Sequence, residues 1–473
     1  MTTPQLWAVL PFAALLALIA LGPLFFADWW GKHYPKVSVG LGLLVVVYYF
    51  LQLHAGGRVL EVSGDYIRFL VLVGSLFVVS GGIHITVKGE ATPFANLCFL
   101  AIGAVAANLV GTTGASMLLI RPWLRMNRYR VTAHHVVFFI FIISNVGGAL
   151  TPIGDPPLYL GFLKGVPFWW ITTHLWPVWA TGVGILLAMF WVVDSRNYRK
   201  APKSVREKLA EPGDHWRFEG LSNVVFLGAI LGAAFIERPA FLREAIMIAA
   251  TAGSYFTTKR HVHESNHFTF HPIKEVAILF AGIFSTMMPA LDWLQASSGK
   301  LGDPSMGLFY FGSGALSSVL DNAPTYLAFL SAAQGALVDS TLVTEVQNWV
   351  TAHGAADLAS IPGPNSHAIQ NILTFIRQYH PASLTGGNLS AEEIGVAHLL
   401  TNDFGRKIIM AISAGAVFFG ANTYIGNGPN FMVKAIADQQ KVHTPSFVAY
   451  VVRFTLPFML PMLLIVWAIF FRH

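Results

Sequence analysis

Residues 144–157 read Ser-Asn-Val-Gly-Gly-Ala-Leu-Thr-Pro-Ile-Gly-Asp-Pro-Pro and interrupt an otherwise apolar segment. Proline removes a backbone donor and clashes with the preceding turn, while glycine adopts conformations that other residues resist. A helix that reaches this stretch therefore cannot continue through it unbroken. The sequence predicts a discontinuous helix with its break at 144–157.

A second stretch repeats the first one 272 positions further along the chain. Residues 420–430 read Gly-Ala-Asn-Thr-Tyr-Ile-Gly-Asn-Gly-Pro-Asn. Six positions are identical between the two stretches, and Asn427 occupies the position of Asp155. Two matching breaks indicate two repeats, 1–193 and 221–473, joined by a polar linker at 194–220.

The composition places the chain in a membrane. Of its 473 residues, 54% are hydrophobic and only 11% are charged, against roughly 25% charged residues in soluble proteins. Runs of about 20 apolar residues cross a bilayer as helices, because hydrocarbon leaves no partner for free backbone groups. The net charge of +6 lies in loops between apolar runs, which favours lipid and not nucleic acid as the partner. The single cysteine, Cys98, excludes an intrachain disulfide.

The same parts occur in the same order in both halves. Each half is predicted to contain three spans, a re-entrant hairpin with a polar tip, a broken helix and a closing span. The sequence therefore predicts an all-α integral membrane protein of about 11 membrane segments. In the first half the parts lie at 6–26, 37–53, 66–87, 93–122, 132–165 and 168–193. In the second they lie at 221–236, 240–256, 273–295, 305–331, 405–438 and 446–471, with a polar insertion at 334–404.

Charge predicts the orientation of the two halves. The loop at 121–130 carries four arginines and the linker at 194–219 carries seven Lys and Arg residues. Short cytoplasmic loops are enriched in these residues, so both segments are expected in the cytoplasm and the acidic insertion outside. The two repeats are then inverted relative to each other, which together with broken helices is typical of secondary transporters. Within the insertion, Ser390 and Glu393 form a predicted helix-capping box.

Polar side chains cluster at the two breaks and the two hairpin tips. They offer hard oxygen ligands, which suit Na⁺ better than zinc or copper. Capping of the half-helices is the alternative role for the neutral ones. The candidate ion-binding or substrate-binding residues are Asn108, Thr112, Thr113, Ser116, Ser144, Asn145, Thr151, Asp155, Asp321, Asn322, Thr325, Asn422, Thr423 and Asn427.

Two carboxylates stand out within this set. A carboxylate at membrane depth costs roughly 2.5–3.5 kcal/mol on insertion scales and is functional by default. Asp155 and Asp321 are therefore the predicted Na⁺ ligands and proton carriers. His84 and Asp292, near the ends of two segments, are interpreted as interfacial, and Lys164 as a side chain that reaches the membrane surface.

Four motifs together resemble those of a known superfamily. They are Gly111 to Pro122, Ser144 to Pro157, Asp321 to Thr325 and Gly420 to Asn430. They resemble the NhaD-type sodium/proton antiporters and the citrate-transporter-like proteins of the ion transporter superfamily. The resemblance implies two inverted repeats, scaffold and transport regions, and a homodimer that moves its transport regions like an elevator.

The sequences of the two hairpin tips differ from those of one branch of that superfamily. Members with di- or tricarboxylate substrates carry Ser-Asn-Thr at both tips, whereas this chain has Gly111-Thr112-Thr113 and Asp321-Asn322-Ala323-Pro324-Thr325. Asp321 would repel a polyanion in a pocket of low dielectric constant. The departure favours a cation as the transported species.

The sequence thus predicts a secondary active transporter of the inner (plasma) membrane that exchanges Na⁺ or Li⁺ for H⁺ and needs no cofactor. The alternative is Na⁺-coupled transport of citrate, a dicarboxylate or another anion. A membrane-embedded enzyme is the least favoured class, because no nucleophile-base motif or metal signature accompanies the two aspartates.

Overall fold

The first half of the chain contains seven α-helices and a short strand. The computed structural model describes residues 4–86, 92–200, 217–236, 239, 241–297, 304–353, 361, 363–385 and 389–472. The elements are α1 (Leu10–Phe25), α2 (Ala27–Leu51), α3 (Gly56–Gly81), β1 (His84–Thr86), α4 (Pro93–Met126), α5 (Ala133–Ile142), α6 (Pro156–Leu163) and α7 (Phe168–Lys200).

The second half begins with strand β2 (Arg217–Glu219) and repeats the helical pattern with an insertion. Its helices before the insertion are α8 (Asn223–Ala233), α9 (Leu242–Thr257), α10 (Arg260–Ser265), α11 (His271–Ser297), α12 (Ser313–Ser317) and α13 (Asn322–Leu337). The insertion holds α14 (Ser340–His353), α15 (Ser366–Tyr379), α16 (Pro381–Thr385) and α17 (Ala391–Thr401). The last elements are α18 (Asp403–Phe419), α19 (Gly428–Gln439), α20 (Phe447–Tyr450) and α21 (Leu460–Phe470).

Eight helical segments of the described chain are long and apolar enough to cross a membrane. Five of them coincide with α2, α3, α4, α7 and α11. The other three are Leu6–Pro23, which overlaps α1, Asp403–Asn422, which contains α18, and Phe447–Phe470. The predicted class, an all-α membrane protein, is confirmed. The predicted capping box at the start of α17 is confirmed as well, since Ser390 and Glu393 exchange hydrogen bonds.

Helix α3 differs from its predicted range of 66–87. It begins ten residues earlier, at Gly56, because its charged residues are held by ion pairs with distant parts of the chain. It ends at Gly81, and His84–Thr86 then pairs as β1 with β2 in antiparallel register, His84 opposite Glu219. The end of the third segment and the end of the linker therefore lie side by side.

Helix α4 is the first hairpin. Gly111 interrupts it with φ 75°, a left-handed conformation that glycine adopts without strain. Asn96 near its start and Asn127 just after its end donate amide hydrogen bonds to each other, at 2.8 and 3.0 Å. Both ends of α4 thus meet at one end of the molecule, although a straight helix of its length would be long enough to cross a membrane. The second hairpin folds back similarly, with α12 packed against α13.

Both discontinuous helices are broken where the sequence predicts. Helix α5 ends at Ile142 and α6 begins at Pro156, whereas α18 ends at Phe419 and α19 begins at Gly428. Each break folds so tightly that two glycines meet. A side chain at Gly154 would overlap the Gly148 carbonyl, and one at Gly426 would lie 2.6 Å from the Gly420 carbonyl oxygen.

Candidate functional site

Asp155 has no solvent exposure and occupies the N-cap position of α6. Its Oδ1 atom accepts a hydrogen bond from the Thr112 hydroxyl at 2.6 Å. Its Oδ2 atom accepts one from the Asn322 amide at 2.5 Å, and the Asn427 amide approaches Oδ1 at 3.4 Å. All three donors are neutral.

These three donors come from three separate parts of the fold. Thr112 follows the kink at Gly111 in the first hairpin, and Asn322 opens α13 in the second hairpin. Asn427 is the N-cap of α19, the position that Asp155 has in the first repeat. Both hairpin tips and both breaks therefore converge on a single carboxylate.

A layer of amides and hydroxyls holds the two breaks against each other. The Asn145 amide donates to Asn430 Oδ1 at 2.7 Å, and the Asn430 amide donates to the Thr423 carbonyl at 2.9 Å. The Asn427 amide also reaches the Ser144 carbonyl at 3.2 Å, and the Ser144 and Ser116 hydroxyls lie 2.7 Å apart. Most of these predicted residues support the site without contacting Asp155.

Each hairpin is tied to its own break in the same way. The Thr151 hydroxyl donates to the Asn108 carbonyl at 2.7 Å, and the Thr423 hydroxyl donates to the Ser318 carbonyl at 2.6 Å. Asn108 also accepts from the Leu150 N–H, and the Asn422 amide donates to the Ser318 hydroxyl. The repeat that the sequence predicts at the breaks thus recurs in the hydrogen bonds, including a residue, Ser318, that sequence reasoning did not select.

Asp321 has a different environment from Asp155. It is partly exposed and caps α13, since its Oδ1 accepts from the Ala323 N–H at 3.1 Å. The Thr325 hydroxyl donates to the Asp321 carbonyl at 3.0 Å, within the same turn. The hydrogen bonds that converge on Asp155 come from Asn322, the residue next to Asp321, and not from Asp321 itself.

One buried oxygen beside Asp155 accepts no hydrogen bond. Asn322 Oδ1 has no hydrogen-bond partner within the described structure, although the amide nitrogen of the same side chain donates to Asp155. A buried polar atom without a partner is costly. Rotation of this amide would present the oxygen toward the carboxylate, where carboxylate, amide and hydroxyl oxygens together suit a hard cation.

The chain also matches a known family over almost its whole length. A family model described as "Putative citrate transport" covers residues 1–471. The chain belongs to this citrate-transport family. Together with the apolar helices, membership makes the chain a multi-pass membrane transporter of the ion transporter superfamily and implies that it is not an enzyme. No curated protein matches the chain.

Sequence reasoning missed a second buried cluster in this citrate-transport family member. Asp194, near the end of α7, is bound by both guanidinium nitrogens of Arg130. The imidazole Nε2 atoms of His134 and His135 lie 3.2 and 3.1 Å from it, and the Asn96 amide donates at 3.0 Å. The adjacent histidines at the start of an apolar helix were the available signal.

The His134, His135 and Asp194 atoms are close enough together to hold a metal ion. The guanidinium of Arg130 already occupies both oxygens of Asp194, however, so a cation would meet a fixed positive charge. The cluster instead fastens the two ends of the first hairpin to α7. It holds Arg130, at the end of the predicted cytoplasmic loop 121–130, against Asp194, the first residue of the predicted linker.

At the opposite end, residues from four regions form an outer ion cluster, defined here as Arg58, Glu61, Asp65, Lys164, Asp292 and Glu392. Lys164 is 9% exposed and pairs with Asp65 at 2.8 Å and Glu392 at 2.6 Å. Arg58 pairs with Asp292 at 3.1 Å and Glu392 at 3.0 Å. The interpretation of Lys164 as a surface-reaching side chain is therefore wrong, because its carboxylate partners lie on α3 and the insertion.

The other two residues interpreted as interfacial also have specific partners. Asp292 accepts a 2.6 Å hydrogen bond from the Tyr49 hydroxyl in addition to its pair with Arg58. His84 is buried in β1, with its Nδ1 atom 2.7 Å from Asn266 Oδ1. Neither residue lies at the Asp155 site.

Proposed function

We propose that the chain exchanges Na⁺ or Li⁺ for H⁺, with Asp155 carrying either ion in turn. The observation that supports this most is the environment of Asp155. It is fully buried, its hydrogen-bond donors are neutral, and it forms no ion pair with a basic residue of the described ranges.

A buried carboxylate without a cationic partner is unstable as a bare anion, because desolvation of a charge costs several kcal/mol. It is neutralised either by a proton or by a bound cation. Since both neutralise the same two oxygens, they compete, and a site that opens to the two sides in turn couples their fluxes. The resemblance to NhaD-type antiporters supports the same mechanism.

The geometry offers little to a polyanion. Helix α6 begins with Pro156 and Pro157, so its first turn lacks two of the N–H groups that would bind an anion. The N-terminus of α13 is already capped by the carboxylate of Asp321. A citrate ion placed here would face two carboxylates and few donors.

Na⁺-coupled citrate transport is the second candidate, and the family match favours it. Asp155 would then hold the coupling cation while citrate occupied another part of the transport region. Under either candidate we propose the inner (plasma) membrane as the location, a homodimer as the assembly, and no cofactor.

Transport by purified protein in proteoliposomes separates the two candidates. We expect a preset pH gradient to dissipate on addition of Na⁺ or Li⁺ without any organic solute, with K⁺ as the cation control and Asp155→Asn as the protein control. Na⁺-dependent uptake of labelled citrate, with no proton movement on Na⁺ addition alone, would replace exchange by the second candidate.

A further inference from the structure

A small recess lies at the predicted cytoplasmic end of the molecule, where the second arm of the first hairpin passes the end of α3. Its volume of about 10 Å³ is close to the space that one water molecule needs, and it is open on one side. It therefore has room for one oxygen atom of a ligand whose other atoms stay outside. Its lining includes Ser80 and Gly81 of α3, Leu118 and Arg121 of α4, and Asn266 and Phe268 from the loop before α11.

Arg121 is the charged residue of this lining, and it has no partner of opposite charge. Its side chain is partly buried, yet it forms no ion pair and no hydrogen bond with any residue of the described ranges. The charge that acts on it is that of Arg125, one turn further along the same arm, and has the same sign. Arg130 of the same loop is bound to Asp194. Withdrawal of a charge from water is costly unless a counter-ion accompanies it, so Arg121 is suited to bind an anion.

The polar groups of the neighbouring elements are already engaged. Glu264 of α10 pairs with Arg260 at 2.9 Å, and Glu219 of β2 lies 2.8 Å from His261. The Asn266 amide donates at 2.8 Å to carbonyl oxygens at and just after the end of α3. These contacts fix the loop against α3 and leave no acidic side chain of the described ranges to pair with the guanidinium.

The end of α3 adds a hydroxyl that faces the same arm. Ser80 is 3% exposed, and its Oγ atom has no hydrogen-bond partner within the described structure. It points at α4, since a Cβ on Gly114 would lie 2.6 Å from this Oγ atom. Gly114, Leu118 and Arg121 follow one another at helical spacing and so share one face of the arm. The face of α4 that meets Ser80 is therefore the face that carries Arg121.

Aromatic side chains border the recess on the side of the loop. The ring of Phe268 fills the space where Gly81 has no side chain, and its centroid lies 5.5 Å from that of Phe77. Phe270, whose ring centroid is 5.2 Å from that of Phe268, is 49% exposed. A ligand at this place meets a cation, a hydroxyl and an apolar border. That combination fits an amphiphile with an anionic head better than it fits a free inorganic anion.

We propose that the recess binds the phosphate group of an anionic phospholipid of the cytoplasmic leaflet, with the Arg121 guanidinium as its main partner and the Ser80 hydroxyl as a second donor. Guanidinium and phosphate form charge-assisted, often bidentate hydrogen bonds, and basic pockets between membrane helices bind anionic headgroups. The lipid would join α3 to the arm whose Thr112 donates to Asp155. The site does not depend on which ion the protein transports.

Titration of the full-length protein in detergent with dioleoylphosphatidylglycerol, followed by native mass spectrometry, measures binding of the first lipid. We expect Arg121→Gln to weaken this binding about tenfold, the effect of losing one charge-assisted hydrogen bond. Arg128→Gln is the matched control, because Arg128 belongs to the same loop but is exposed and does not line the recess. It should change the affinity about twofold or less. Equal weakening by both variants would show attraction to the net charge of the loop and overturn the site.

Ser80→Ala tests the second donor without disturbing the fold, since the hydroxyl bonds no described residue. We expect its melting temperature without lipid to equal that of the parent protein, and its affinity for the lipid to fall about threefold. Unchanged affinity would remove this hydroxyl from the site.

Two further probes distinguish a lipid from a soluble anion. Dioleoylphosphatidylcholine has the same acyl chains but a compensated charge, and we expect it to bind about tenfold more weakly than dioleoylphosphatidylglycerol. Binding of the two lipids with equal affinity would contradict recognition of an anionic headgroup. Excess inorganic phosphate should not displace the lipid. If it does, and if phosphate alone raises the melting temperature of the parent protein but not of Arg121→Gln, the recess is a site for a soluble anion and the lipid is wrong.

Discussion

The two breaks have the same backbone design and different chemistry. In both, a threonine hydroxyl donates a hydrogen bond to a carbonyl oxygen of the hairpin. The same hydroxyl accepts a hydrogen bond from the N–H of the glycine three residues later. The first break then places Asp155 at the start of its half-helix, whereas the second places Asn427 there. The pseudo-symmetric fold therefore builds two equivalent positions and puts the charge at only one of them.

This difference indicates that the two repeats have different roles at the site. Asn427 donates toward Asp155, so the second break supplies a neutral ligand to the charge of the first. Two carboxylates facing each other across the contact would repel in a low-dielectric interior. A single buried carboxylate leaves one position where a proton and a cation compete.

The largest effect is expected from moving the charge. Asp155→Asn should reduce Na⁺-driven proton movement to the level of empty liposomes, because an amide of nearly the same shape does not titrate. Adding Asn427→Asp to this variant restores a carboxylate at the equivalent position and should recover part of the exchange. Normal exchange by Asp155→Asn alone would remove the carboxylate from the mechanism.

The glycines of the two breaks provide the next comparison. Gly154→Val should abolish transport, because the new side chain would overlap the Gly148 carbonyl directly behind Asp155. Gly426→Val should also impair transport but less, since its Cβ would lie 2.6 Å from the Gly420 carbonyl oxygen and beside the uncharged break. Transport per inserted protein is the measurement. Full activity of both variants would contradict the role of the breaks as sites.

The sequence predicts the breaks and hairpin tips well because glycine, proline and short polar residues act locally. Gly111 marks a left-handed backbone conformation, and Gly154 and Gly426 mark places where two backbone segments approach closely. The start of α3 was mispredicted for the opposite reason. Arg58 resembles a loop residue until its partners Asp292 and Glu392 are known, and these lie more than 200 positions away.

The roles of the two aspartates also depend on tertiary contacts. Local sequence shows Asp155 and Asp321 as equal candidates, because each precedes a half-helix. Only the packing of both hairpins on the first break gives Asp155 its donors from distant segments. The cluster around Asp194 was missed in the same way, since its partners come from α4, α5 and the loop between them.

A smaller effect is expected at Asp321. Asparagine also caps helices, so Asp321→Asn should retain most of the exchange, whereas Asp321→Ala should lose about 0.5–2 kcal/mol of stability with the cap. Exchange rate and thermal unfolding of the two variants, compared with Asp155→Asn, are the measurements. Loss of exchange in Asp321→Asn as complete as in Asp155→Asn would make both carboxylates carriers.

The smallest effect on transport is expected at the outer ion cluster, where Glu392 lies on α17, outside the membrane-spanning helices. Burial by itself would raise the pKa of Glu392, but the charges of Lys164 and Arg58 outweigh it and lower the pKa to about 2, from an ordinary value of 4.5. Because the pKa is lowered on folding, these ion pairs stabilise the protein fully above pH 4.5, and the stabilisation is lost as the pH falls toward 2.

Glu392→Gln should therefore lower the melting temperature at neutral pH and flatten its decline between pH 4.5 and 2, while exchange at neutral pH changes little. Glu61→Gln is the control, since Glu61 belongs to the same cluster but its side chain is 44% exposed, and surface ion pairs contribute little. Thermal unfolding across this pH range measures both variants. If Glu392→Gln unfolds at the temperature of the parent protein at neutral pH, the cluster does not stabilise the outer end. If the exchange rate of Glu392→Gln falls as far as that of Asp155→Asn, transport depends on a carboxylate outside the first break as well as on Asp155.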